Sequence, residues 1–230
     1  EAEFEGKRRK IRFLNPDLGL INTRDPIHLY VSAYGPRGRA LTAKLGAGWL
    51  YFFNDVAGGV AGLEGMQASW REAGRNPEDL SATAFMCGCV LAEGEAYDSP
   101  RAMAQAGPRA AVLLHRAADE ALAGLPNSSR VPPAVADAVA GYVALARRFE
   151  PADAPYLENH RGHLMFVKPE ERPFVTADLI RETTFTATEP VLKQRIESLR
   201  SAGYTQFTIQ LVPGQEQAIE DWARIRRAFA

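Results

Sequence analysis

Residues Ser32 to Gly38 read Ser-Ala-Tyr-Gly-Pro-Arg-Gly, an order suited to holding an anion. Pro36 fits the first turn of a helix, where its missing N–H costs nothing. The N–H groups that follow, at Arg37 and Gly38, would point out of the helix start. There the helix dipole adds about half a positive charge. Gly35 would let a phosphate come close to the backbone, and Arg37 or Arg39 would add charge. The same residues also suit a plain helix start with solvated arginines. The stretch is neither a dinucleotide fingerprint nor a Walker loop.

Other chemistry-bearing residues are sparser. His160 and His163 form His-Arg-Gly-His, but no third ligand stands at a recognisable spacing and HExxH is absent. No metal is assigned, and the two read as loop histidines. Glu93, at the end of an apolar stretch, is the carboxylate best placed for acid–base work, with a salt-bridged loop residue as the plainer alternative. Phe52, Phe53 and Asn54 would line a pocket or fill the core. His28 falls near the start of its strand, away from the end where such folds do chemistry. Cys87 and Cys89 are the only cysteines. Two apart on a strand they share a face, poor geometry for a mutual disulfide, so they are expected buried and reduced. No Ser/His/Asp or Cys/His set is legible, and catalytic residues stay unassigned.

The elements that must position these residues alternate. Residues 6–14 suit an edge strand or hairpin arm, whose basic run Lys7 to Lys10 is read as solvated. Ile27 to Ala33 is apolar at nearly every position, the pattern of a strand covered on both faces. A helix from Pro36 to Leu45 stops at Gly46, and a second strand covers Gly48 to Phe53. A helix from Val60 to Ala73 and a third long strand from Ser81 to Ala92 follow. Ser99 to Phe149 is Ala-rich and helical, interrupted at Gly107-Pro108 and by the loop from Gly124. A short helix fits Thr176 to Arg181. Thr188 opens an amphipathic helix with Val191, Leu192, Ile196 and Leu199 on its apolar face. Tyr204 to Val212 is a fourth strand. A last helix spaces Ile219, Trp222, Ala223, Ile225 and Arg226 for packing.

Strand and helix in alternation argue for parallel βα units. Residues 1–230 are read as a single α/β domain, with 94–187 a mostly helical insertion. About four parallel strands cannot close a (β/α) barrel, which needs eight strands and about 250 residues.

With 230 residues and a formal charge of −1, the chain carries no nucleic-acid footprint. No apolar run approaches the roughly 20 residues that span a bilayer, and no signal peptide opens it. A cytoplasmic protein is expected, and Asn127 in Asn-Ser-Ser is therefore no glycosylation site. The first residue is Glu1 rather than Met, which fits processing, an expression scar or missing upstream sequence.

Two separated blocks carry a resemblance. The segment PIHLYVSAYGPRGRALTAKLGAGWL, from Pro26, resembles the YVAA-x-GP-[KR] stretch of the luciferase-like monooxygenase superfamily. TATEPVLKQRIESLRSAGYTQFTIQLV, from Thr186, resembles that family's closing block, and FMCGCVLAEGE, from Phe85, stands where its seventh strand lies. The resemblance implies a partial (β/α) TIM barrel, strands five to eight, with the insertion before the last. It implies a flavin-dependent oxidoreductase using FMN, or alternatively a deazaflavin coenzyme as in the methylene-tetrahydromethanopterin-reductase-like branch. By position it puts Ala33, Tyr34, Gly35, Pro36 and Arg37 at the cofactor phosphate. Ala47 and Ala187 depart from the usual Asp and Gly, neither at that turn. The family's first four strands, which carry much of the ring contact and most catalytic side chains, have no counterpart here. Expected partners are a small organic substrate and copies of the same chain, with neither nucleic acid nor membrane. The rival reading is a non-catalytic half-barrel that binds a phosphorylated ligand or self-associates.

Overall fold

The computed structural model describes residues 2–10, 15–19, 24–126 and 131–229. Asn127, and residues 11–14 of the expected hairpin arm, lie outside them. Strands β1 (Ala2–Phe4) and β2 (Lys7–Arg9) pair antiparallel across a turn with Glu5 and Gly6 at positive φ. Four strands then form one parallel sheet: β3 (Tyr30–Ser32), β4 (Gly48–Phe52), β5 (Ala82–Met86) and, after a short parallel pair of β6 (Val90–Leu91) with β7 (Ala187–Thr188), β8 (Gln206–Ile209). Their spatial order is β3-β4-β5-β8. The fold class is therefore α/β with a parallel sheet.

Helices bury one face of this sheet. Ala43 comes from α1 (Pro36–Leu45) and Leu63, Met66 and Trp70 from α2 (Val56–Glu72). Leu192, Ile196 and Leu199 come from α7 (Glu189–Ala202), and Trp222 and Ile225 from α8 (Ala218–Arg227). They close on Trp49, Phe53, Ala82, Ala84 and Met86. Because side chains alternate along a strand, the other face shows Tyr30, Phe52, Phe85, Gln206 and Thr208, half-buried or exposed. The expectation of strands covered on both faces is thus corrected. Ile27, three residues ahead of the edge strand β3, is 93% exposed, and on this face only Thr83 of the sheet centre is buried.

Between β6 and β7 the chain runs through α3 (Pro100–Leu122), α4 (Ala136–Ala146), α5 (Tyr156–Asn159) and α6 (Ala177–Thr183). Helices α3, α4 and α6 share a second apolar core, joined to the strands through Cys89 and Leu91. The expected break at Gly107-Pro108 does not occur. α3 continues through Pro108 because both neighbouring turns are buried, and Gly107 leaves room that Val167 and Met103 fill. The start of α2 is also earlier than its glycines suggest, since Asp55 caps it by accepting from the Gly58 N–H at 2.7 Å. Val191 and Ile219 turn outward, 39% and 52% exposed. No described helix is long and apolar enough to cross a membrane.

The third strand is shorter than its apolar run, bending at Cys87-Gly88-Cys89 to give β5 and then β6. Both cysteines are free and buried. Here Gly88 passes so close to the chain that an added Cβ would stand 2.3 Å from the Phe185 carbonyl oxygen. Gly88→Ala must push backbone from backbone. It is expected to lower stability by about 1–3 kcal/mol, read as a lower urea midpoint at unchanged slope.

Candidate functional site

The carboxyl ends of parallel strands, where ligands gather in open α/β sheets, meet at one rim. Tyr34 follows β3, Asn54 follows β4, Cys87 follows β5 and Gln210 follows β8, with Cys87 Sγ 3.7 Å from Gln210 Oε1. Across them lies Arg109 of α3. Its guanidinium carbon sits 4.2 Å from the Phe52 ring centre, and Nη2 donates to Asn54 Oδ1 at 2.8 Å. Burial pulls Arg109 down to about 10, partly opposed by Cys87 and Tyr34. Burial likewise pushes the Cys87 thiol up to about 11, with Arg109 opposing. Cys87 is thus a neutral thiol and not a nucleophile. Arg109 has no carboxylate partner among the described residues, so the rim presents a half-buried cation able to pair with an anion.

Beside this rim α1 begins. Gly35 is its N-cap, extended at φ −88° and ψ 167°, and no side chain caps the start. The N–H groups of Arg37 and Gly38 are among those a helix leaves without internal partners. An added Cβ at Gly35 would meet nothing within 4 Å, so the approach is open. Ala33 is buried and its carbonyl accepts from Trp49 Nε1 at 2.8 Å, which fixes the backbone entering the turn. Tyr34, Gly35, Pro36 and Arg37 are exposed. Arg39 turns the other way and packs on α2, where a side chain at Gly65 would collide with its guanidinium. These features fit a phosphate: free backbone donors, an open glycine, and Arg37 at hand.

The other candidates separate. Phe52 and Asn54 reach Arg109, while Phe53 packs into the core at 5.5 Å from Tyr204. Glu93 is exposed and borders a cavity of about 340 Å³ with Arg101, Asp221 and Arg224. The carboxylate organised there is its neighbour Glu95, which the Arg101 hydrogen bond holds down to about 2 against the effect of burial. His28 is exposed ahead of β3. A groove of about 910 Å³ runs along β8 between α7 and α8. It includes none of the rim residues and is the apolar flank of an edge strand.

His160 and His163 are not isolated. His115 of α3, 48 residues before His163, brings its Nδ1 to 3.2 Å from that of His163. Burial, then the charges of His115, His160 and Arg109, holds His163 below the usual imidazole range, with Asp119 opposing. Sequence spacing gave no sign of His115, because the loop after α5 folds back onto a distant helix. Arg109 was equally unmarked, its one signal being a cation in an otherwise Ala-rich, buried stretch.

A parallel α/β sheet whose strand carboxyl ends meet an uncapped helix start and a half-buried arginine has the layout in which open α/β sheets hold ligands. The chain belongs to the luciferase-like monooxygenase family, whose model matches residues 1–206. Two solved structures are similar. The coenzyme F420-dependent tetrahydromethanopterin reductase from Methanopyrus kandleri has 19% identity over 84% of this chain and 48% of its own, with a TM-score of 0.48. An F420-dependent secondary alcohol dehydrogenase, in complex with an F420-acetone adduct, has 16% identity over 88% and 48%, also at 0.48. The chain spans about half the length of these two proteins. Comparison with curated proteins gave no match.

Proposed function

We propose that this chain is the cofactor-phosphate-binding part of a luciferase-like oxidoreductase, with β3, β4, β5 and β8 corresponding to barrel strands five to eight. FMN is the first cofactor, a deazaflavin coenzyme the alternative. Its phosphate would lie against Ala33, Tyr34, Gly35, Pro36 and Arg37, held by the N–H groups of Arg37 and Gly38. Arg109 would add charge from the rim. When bound, the ring supplies the redox chemistry, activating oxygen or passing hydride to a small organic substrate, while the chain binds and orients it. The observation that carries this reading is the uncapped, unobstructed helix start at the carboxyl end of an edge strand. The uncovered sheet face agrees with a barrel whose other strands come from outside the described residues.

Fluorescence titration with FMN, riboflavin and the deazaflavin tests it. FMN or the deazaflavin should bind at least about tenfold more tightly than riboflavin, which lacks the phosphate and so forfeits about 1.4 kcal/mol or more. Arg37→Ala should narrow that gap without touching riboflavin. Riboflavin affinity equal to that of both FMN and the deazaflavin, or no binding below millimolar for any of the three, defeats the assignment.

A further inference from the structure

Away from the phosphate turn, three imidazoles converge on one point. His115 lies on α3, His160 ends α5 and His163 follows in the loop. His163 Nδ1 stands 3.2 Å from His115 Nδ1 and 3.3 Å from His160 Nδ1, and the ring nitrogens of all three that could ligate lie within 4.8 Å of one another. The far nitrogens are engaged: His115 Nε2 is 2.6 Å from Glu171 Oε1, and His160 Nε2 is 2.7 Å from Asp119 Oδ2. An ionised carboxylate only accepts, so both Nε2 atoms carry hydrogen, and in the neutral rings both Nδ1 atoms are lone pairs aimed at His163. His163 has one Nδ1 hydrogen to offer and two acceptors to satisfy.

We propose that His115, His160 and His163 bind one divalent transition metal, zinc before others, through their Nδ1 atoms, with a fourth position open to water or an anion. Zinc holds imidazole nitrogen at about 2.0–2.1 Å in a tetrahedral site, whose edge is then about 3.3–3.4 Å. The two Nδ1 separations, 3.2 and 3.3 Å, are within about 0.2 Å of that edge. Imidazole is a ligand type that suits zinc. Metal-bound histidines usually give their other ring N–H to a carboxylate, and two of these three do. The carboxylates are anchored in turn. Glu171 accepts from Tyr142 at 3.0 Å and pairs with Lys168 at 3.0 Å, and Asp119 accepts from the buried Asn159 at 2.7 Å. Entry is from the His160 side, whose side chain is 39% exposed against 3% for His115.

The test uses the full chain without an affinity tag, stripped by chelator and titrated with Co²⁺ and Zn²⁺. One equivalent of Co²⁺ should bind at micromolar concentration or tighter, with the visible spectrum of a four-coordinate nitrogen site, and Zn²⁺ should displace it. His163→Ala and His160→Ala alter partly exposed residues and should keep the far-ultraviolet circular dichroism while losing the spectrum. Asp119→Asn should weaken binding by about 10–100-fold. Binding only at millimolar levels, a six-coordinate cobalt spectrum, or binding that survives His163→Ala would overturn the site. Each of those outcomes leaves a trio of hydrogen-bonded imidazoles sharing protons. FMN or deazaflavin binding at the phosphate turn is read separately, so the two proposals fail independently.

Discussion

Replacing Lys168 by methionine is expected to lower stability by about 3–5 kcal/mol, the loss typical of a buried ion pair stripped of one partner. Lys168 and Glu171 both have fully buried side chains, and Nζ lies 3.0 Å from Oε1. The ammonium also donates to the carbonyls of Glu158 at 2.5 Å and Asn159 at 3.3 Å, tying α5 to the turn before α6. Burial pushes the Glu171 carboxyl up. Hydrogen bonds from His115 and from the backbone and ammonium of Lys168 more than offset that, leaving it below the usual carboxylate range. A depressed carboxylate stabilises fully above its unfolded value near 4.3 and loses that contribution as pH falls through its folded value. In Lys168→Met the carboxylate has lost its cation, so the deficit should be largest near pH 7 and shrink as acid neutralises Glu171. Adding Glu171→Gln should recover at least about 1 kcal/mol through the coupling of the pair, though not everything, since the amide presents N–H to the Lys168 N–H that Oε2 now accepts at 3.0 Å. Urea unfolding at several pH values measures all of this. A single variant within about 1 kcal/mol of the parent, or a deficit that grows in acid, would mean the ammonium is not needed by the carboxylate.

Local chemistry explains which parts of the fold were legible. The helix starts at Pro36 and Thr176 and the stops at Gly46 and Gly203 are set by residues within one turn, and the structure has them there. The sequence could be read to the parallel class of the sheet because βα alternation has no other economical packing. Contacts between residues distant in sequence are what local chemistry does not encode. Ile27 looks buried by type, but it lies ahead of the edge strand β3 and is exposed. Pro108 looks like a breaker, but its helix is held by packing from Val167 and Val175. Ser81 to Ala92 looks like one strand, but it bends at Gly88, where the Phe185 backbone passes close and donates to the Cys87 carbonyl at 2.9 Å. The candidate site divides in the same way. Gly35 and Pro36 announce a turn by themselves, whereas Arg109 and His115 gain meaning only when α3 is laid across the strand ends. Lys168 and Glu171 gave no signal, because charged residues in a stretch such as Lys-Pro-Glu-Glu-Arg ordinarily face water.

Trp49→Ala should destabilise the chain by about 3–5 kcal/mol, the range for removing a fully buried large aromatic. Trp49 has no exposed surface and stacks on Tyr51 at 4.6 Å and 18° between planes, and on Tyr204 at 6.2 Å and 21°. It is the centre of an aromatic layer between sheet and helices, so no neighbour can collapse into the space. The more informative variant is Trp49→Phe. It keeps most of the apolar surface but removes the Nε1–H that donates to the Ala33 carbonyl at 2.8 Å. An orphaned buried carbonyl costs about 1–3 kcal/mol, which sets the expected stability loss. Ala33 lies two residues before Gly35, and its carbonyl is held on the side away from the exposed turn. Freed, the turn should sample conformations in which the Arg37 and Gly38 N–H groups no longer converge. Trp49→Phe should therefore weaken FMN or deazaflavin binding by about fivefold to tenfold, near 1 kcal/mol, measured well below the unfolding transition, with riboflavin binding nearly unchanged. If phosphate discrimination is intact in Trp49→Phe while the stability loss is as expected, the indole secures the core alone and the turn holds its own shape. If discrimination falls with stability, one hydrogen bond from the aromatic layer sets the geometry of the anion site.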